Sequence, residues 1–120
     1  MAHTYKIKCI IKRPDEEYGH MTAISDTLEN LQRTVEGYIE CVTLVHQTLG
    51  VDGECVLPGL AIICNEEGIP RGLPYNCRLA GITIFGDFVI LGFKGDEFCD
   101  CPVSARFINS YIEEIGEAQP

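Results

Sequence analysis

Two cysteines one residue apart, Cys99 and Cys101 with Asp100 between them, are the nearest thing in this chain to a metal or redox motif. A tetrahedral zinc site built on them needs two further ligands from among Cys64, Cys77, His20 and His46, and the spacing matches neither a zinc finger nor a zinc ribbon. No Cys-X-X-Cys is present, which argues against a thioredoxin-type redox pair. Cys101 reads as a residue near a helix N-cap and Cys99 as a small packed hydrophobe. A cysteine nucleophile needs a base at hand, and nothing in the spacing places His3, His20 or His46 beside a thiol. Glu66 and Glu67 read as solvated charges on a turn, not as the two facing acids of a glycosidase. Gly50-Val51-Asp52-Gly53 and Gly92-Phe93-Lys94-Gly95 lack the order of a phosphate loop and read as turns. The residues therefore predict no catalytic site, no metal and no cofactor.

One stretch stands apart in charge. Between residues 70 and 95 the basic residues Arg71, Arg78 and Lys94 face a single acid, Asp87, a local balance of +2 in a chain of net charge −9. Around the proline-stiffened loop 65–78 lie Asn65, Glu66, Arg71, Tyr75, Asn76 and Arg78. Guanidinium forks and amides recognise phosphate or carboxylate, and a tyrosine ring stacks on a base. The loop is the expected binding site for a small anionic ligand. The competing reading is that Asn65 and Asn76 cap turns and the arginines pair with the protein's own acids.

The elements that must position this loop follow from apolar periodicity. Residues 5–12 alternate, with Tyr5, Ile7 and Cys9 opposite Lys6 and Lys8, and 17–24 return antiparallel after Arg13-Pro14-Asp15. Asp26 and Glu29 have capping-box spacing, Leu28, Leu31 and Val35 recur at helical spacing, and Gly37 supplies a stop, predicting a helix over 27–36. Residues 38–46 and 60–64 read as strands, with 46–58 a hairpin-like excursion turning at Asp52-Gly53. Interrupted by Pro70, Gly72, Pro74 and Gly81, residues 69–81 read as an ordered loop. Residues 82–93 read as one long strand, and an amphipathic helix opens at Pro102 and runs to Ile115, with 116–120 a flexible tail.

The expected fold is a single α+β domain over 1–120, a mostly antiparallel sheet of order ββα-β-(excursion)-ββα with two helices on one face. An uncovered opposite face would be an unusually large apolar patch, so a homo-oligomer, first a dimer, is expected. With 46% hydrophobic and 22% charged residues the 120-residue chain has the composition of one folded domain. The net charge of −9 opposes binding a nucleic-acid backbone and admits a basic partner. No apolar run approaches a membrane span, and no leader is expected at the N-terminus. Seven cysteines, an odd and irregularly spaced set, read as reduced thiols of a cytoplasmic protein.

Thr27-Leu28-Glu29-Asn30-Leu31-Gln32 running into Val35 and Gly37-Tyr38-Ile39-Glu40, then Cys64-Asn65-Glu66-Glu67-Gly68, Gly72-Leu73-Pro74-Tyr75-Asn76, Arg78 and Gly86 resemble the signature of an uncharacterised family of small acidic proteins. The family is a domain of unknown function common in phages, plasmids and conjugative elements of Gram-positive bacteria. The resemblance covers about residues 24–98 and puts weight on Asn65, Glu66, Gly68, Leu73, Pro74, Asn76 and Arg78. This chain departs from the pattern in its longer excursion at 46–58, of the kind that covers a pocket or builds an oligomer contact, and in Glu36, where a glycine is usual. The resemblance implies a mobile-element setting. Joined to the charge of the loop, it suggests a non-enzymatic counter-defence protein that captures a nucleotide-type anion. The alternative is an acidic inhibitor of a basic host protein presenting Asp15, Glu16, Glu17, Asp26, Glu29 and Glu36, with an uncharacterised enzyme third.

Overall fold

The computed structural model describes residues 6–25 and 27–113 of the chain. Alternation forms β1 (Lys6–Lys12), which pairs antiparallel with β2 (His20–Ser25). Helix α1 (Leu28–Val35) follows; Thr27 is its N-cap, its hydroxyl accepting from the Asn30 N–H at 3.1 Å. Next come β3 (Ile39–Val45), a short hairpin of β4 (Thr48–Leu49) and β5 (Cys55–Leu57), and β6 (Gly59–Asn65), buried along its whole length. The chain continues through β7 (Tyr75–Leu79), β8 (Ile82–Phe85), β9 (Phe88–Lys94), β10 (Glu97–Cys99), α2 (Ala105–Asn109) and β11 (Ile112–Glu113).

The main sheet has the order β2-β1-β9-β6-β3, with β10 also paired to β9, and every pairing in it is antiparallel. A second sheet of order β11-β7-β8 stands apart from it, and β4–β5 pair only with each other. Successive side chains on a strand point to opposite faces, so β6 and β9 divide the core in two. Ala61, Ile63, Val89 and Leu91 pack with Cys9 and with Leu31 and Val35 of α1. Leu60, Ile62, Phe88 and Ile90 pack with Ile10, with Cys77, Leu79 and Ile84 of the second sheet, and with Ile108 of α2.

This arrangement corrects the expected fold in four places. The helices lie on opposite faces of the main sheet, not on one, because α1 and α2 contact alternate residues of the same strands. The expected loop at 69–81 contains β7, hidden from periodicity by a bulge between Tyr75 and Cys77. The single strand expected over 82–93 is two strands in different sheets, broken where Gly86 takes a φ of 82° before Asp87. The expected second helix is only Ala105–Asn109, capped by Ser104 rather than opened at Pro102, since Ile112 pairs with Leu79 instead of continuing it. The ββα-β-ββα order accordingly does not hold.

The second face of the sheet is thus covered by the chain itself, and an open face no longer argues for an oligomer. The tail expected over 116–120 and Asp26, the expected cap, lie outside the described residues, and the N-cap of α1 is Thr27. Among the described residues no helix is long and apolar enough to cross a membrane.

Candidate functional site

The six residues expected to form one anion site are placed in three environments. Asn65, the last residue of β6, donates from Nδ2 to the Val35 carbonyl at 2.9 Å and accepts the Glu67 N–H on Oδ1 at 2.7 Å. Arg71 donates from Nη1 to the Glu36 carbonyl at 2.8 Å. Both therefore serve carbonyls at the end of α1 that have no partner within the helix. Glu36, not Gly37, takes the left-handed conformation at the helix stop, with φ 62°. Gly37 is required for closeness, since a Cβ there would stand 2.7 Å from both Arg71 Nη1 and Asn65 Nδ2. Glu66 donates its N–H to the Tyr38 carbonyl at 2.9 Å, and its exposed side chain lines a small hollow of about 140 Å³ with Glu40 and Phe85.

Asn76 points inward. Its Nδ2 donates to the carbonyls of Lys12 at 3.0 Å and Gly86 at 2.8 Å, and its Oδ1 accepts from Lys12 Nζ at 2.7 Å. Lys12 is only 2% exposed, and its Nζ also donates to the Arg13 carbonyl at 3.3 Å. This clamp fastens the second sheet to the end of β1. Tyr75 and Arg78 lie exposed on β7; Tyr75 meets Phe85 edge-on, and Arg78 Nε is 3.4 Å from Glu113 Oε2. The structure thus joins Asn65 with Arg71 and leaves Asn76 and the Tyr75/Arg78 pair apart from them.

A family model, Domain of unknown function (DUF3846), matches residues 7–116. The chain belongs to this family. No match was found among curated proteins or among solved structures. Several of the residues that carried the resemblance have structural roles in this DUF3846 chain. The Pro74 carbonyl accepts the Gly86 N–H at 2.7 Å, Gly86 lies against Leu73, and Gly68 lies against the Phe85 carbonyl. With Asn65 and Asn76 they hold loop 65–78 between α1 and the two sheets.

The geometry also gathers acids at one end of the main sheet. There the β1–β2 turn and the end of α1 bring Asp15, Glu16 and Glu36 within electrostatic reach of Asp87, on the β8–β9 turn, alongside Arg13. Arg13 Nε lies 3.8 Å from Asp87 Oδ2, the Arg13 N–H donates to Glu16 Oε1 at 2.9 Å, and Glu16 Oε2 lies 3.4 Å from His20 Nδ1. Burial raises the Asp87 carboxyl above the ordinary carboxylate value, Arg13 opposes this, and Glu36, Asp15 and Glu16 push it further up. Sequence reasoning named Asp15, Glu16, Glu17 and Glu36 but missed Asp87, whose place depends on the β1–β9 pairing of Lys12 with Phe88. Glu29 lies on the helix in an exposed pair with Arg33. Lys6 and Lys94 sit at the opposite end, lining a broad groove of about 860 Å³ with Asp96, Glu97 and Asp100.

Cys9, Cys64, Cys77 and Cys101 are buried in the core. Cys99-Asp100-Cys101 runs beside β1, where Asp100 Oδ1 accepts the Lys8 N–H at 2.8 Å and the Cys101 N–H donates to the Lys8 carbonyl at 2.8 Å. Among the described residues no three His, Cys, Asp or Glu converge where they could hold a metal ion. Burial pushes the Cys9 thiol up to about 11, with Cys101 adding to the effect, and burial followed by Glu40 and Cys41 does the same for Cys64. The folded chain keeps both thiols protonated in a range where the unfolded chain loses those protons. Stability is therefore expected to fall as pH rises from about 9 to about 11, by up to ~1.4 kcal/mol per pH unit for each thiol. Urea midpoints across that range test this, and Cys9→Ala with Cys64→Ala should flatten the decline; an unchanged slope in the double variant would refute the assignment.

Proposed function

We propose that this DUF3846 protein is a non-enzymatic interaction module that works in the cytoplasm and engages a basic protein through the acidic end of its main sheet. The observation that supports this reading is the convergence of Asp15, Glu16, Glu36 and Asp87, contributed by three separate segments. The three neighbouring carboxylates disfavour the charged form of Asp87, and a cationic surface offsets that repulsion while steering association. The test is titration with a lysine-rich peptide at two salt concentrations. Asp15→Asn/Glu16→Gln/Glu17→Gln should weaken binding by at least about tenfold. The equally discharged Glu54→Gln/Asp96→Asn/Glu97→Gln should bind like the parent. Equal losses in both variants would mean general attraction to a chain of net charge −9 and no site.

A second reading keeps the small anionic, nucleotide-type ligand, in a phage or mobile-element protein that counters host defence. It is supported by Tyr75 and Arg78, which the β7 bulge leaves exposed together on one strand. In the same titration with a nucleoside diphosphate as probe, Arg78→Ala would abolish binding under this reading and leave the peptide affinity unchanged.

A further inference from the structure

The β4–β5 hairpin stands outside both sheets and is closed locally, the Gly50 N–H donating to the Glu54 carbonyl at 2.7 Å. Its surface is not that of an ordinary polar hairpin. Leu49, Val56 and Leu57 are each more than half exposed, and Val51 at the turn is wholly so. Beside its root lies an apolar cleft of about 200 Å³, floored by Leu60, Leu79 and Ile108 and rimmed by Val45, Phe107 and Tyr111. A dry cavity of roughly 150 Å³ already accepts a benzene-sized guest, so this cleft has room for a valine or leucine side chain. One face of the chain therefore carries both an apolar projection and an apolar recess.

We propose that the hairpin of one copy seats in the cleft of a second copy, forming a two-fold dimer through this end of the sheet. A projection and a recess in equal number on one patch are what an isologous interface requires, because a single two-fold axis satisfies both contacts at once. The area is sufficient: half-exposed aliphatic and aromatic side chains on this patch amount to on the order of 700 Å² per copy, or about 1,400 Å² in all, within the range of stable interfaces.

Contact through this end also keeps the Asp15/Glu16/Glu36/Asp87 clusters of two copies apart. β3 leaves the acidic end and runs into the hairpin, while β6 leaves the hairpin and ends at Asn65 beside α1. The hairpin, which carries its own Asp52 and Glu54, and the Asp15/Glu16/Glu36/Asp87 cluster thus lie at opposite ends of strands seven residues long, which span roughly 20 Å. That exceeds the ~8 Å screening length at physiological salt. Two chains of net charge −9 meeting hairpin to cleft keep these clusters turned away from each other.

Sedimentation velocity of the full chain over a wide concentration range should show a monomer–dimer equilibrium. Val51→Glu should weaken it at least about tenfold, while melting temperatures taken at concentrations where both chains are monomeric stay equal, since Val51 is wholly exposed in the monomer. A photo-crosslinking residue at position 51, in a mixture of isotope-labelled and unlabelled chains, should join labelled to unlabelled copies at α2 or Tyr111. A chain monomeric at every concentration, including one that instead carries a foreign protein on its hairpin, overturns the proposal. So does a dimer indifferent to Val51→Glu whose crosslinks fall elsewhere.

Discussion

Asn76→Ala is expected to destabilise the protein by about 3–5 kcal/mol, far more than an exposed polar residue would. The amide makes three hydrogen bonds in a buried site, and its removal takes a donor from each of the Lys12 and Gly86 carbonyls and an acceptor from Lys12 Nζ. No ion pair involving Lys12 is found among the described residues, so the amine depends on neutral acceptors. Lys12→Met should do less harm, about 1–2 kcal/mol, because it orphans one amide oxygen and replaces the stem with an apolar chain of similar length. Urea unfolding of the two variants gives the ratio. An Asn76→Ala protein as stable as the parent would mean that the clamp does not hold the second sheet, and would return Asn76 to the list of ligand contacts.

Gly59→Ala should cost about 3 kcal/mol through crowding alone. Gly59 opens β6 and pairs with Phe93, whose ring lies over the position a side chain would occupy. A Cβ there would stand 2.5 Å from Phe93 Cε1 and 2.6 Å from the Val45 carbonyl. The ring can turn away, but the carbonyl belongs to the backbone of β3. Phe93→Ala in the same chain should therefore recover only part of the loss, and full recovery would show that the ring was the only obstacle. Thermal melts of the single and double variants separate the two contributions.

Where local pattern and long-range pairing agree, the fold was legible in the residues. Leu28, Leu31 and Val35 at helical spacing placed α1 within a residue or two, although its cap is Thr27 and not the expected Asp26. The wholly apolar run at 60–64 lies within β6, which is buried at every position. Pairing overrode pattern elsewhere. Ile112 and Ile115 prolong a helical apolar stripe in sequence, yet Ile112 joins β7. Lys12 falls in the polar half of an alternating strand, yet β1 is buried on both faces toward its end, so Ile10 and Lys12 both turn inward beneath the second sheet.

The candidate site was legible in part for the same reason. Charge counting drew attention to loop 65–78, but residue type could not reveal that Asn65 and Arg71 are occupied with the end of α1. Nor could it reveal Asp87 among the acids, because that neighbourhood exists only once β1 and β9 are paired.

The position of β9 in the main sheet governs how the chain comes together during synthesis. β9 bonds to β1 on one side and β6 on the other, yet it spans Phe88–Lys94, late in a chain of 120 residues. Until the ribosome has released that segment, the β1–β2 and β3–β6 pairs are two separate ribbons, each with an apolar face and an open edge. Pairing across such sequence separations is slow because loop closure precedes the gain from contact. A nascent chain halted before residue 88 is therefore an aggregation hazard, with Ile62 and Ile63 on one ribbon and Ile10 and Ile11 on the other left without their central neighbour.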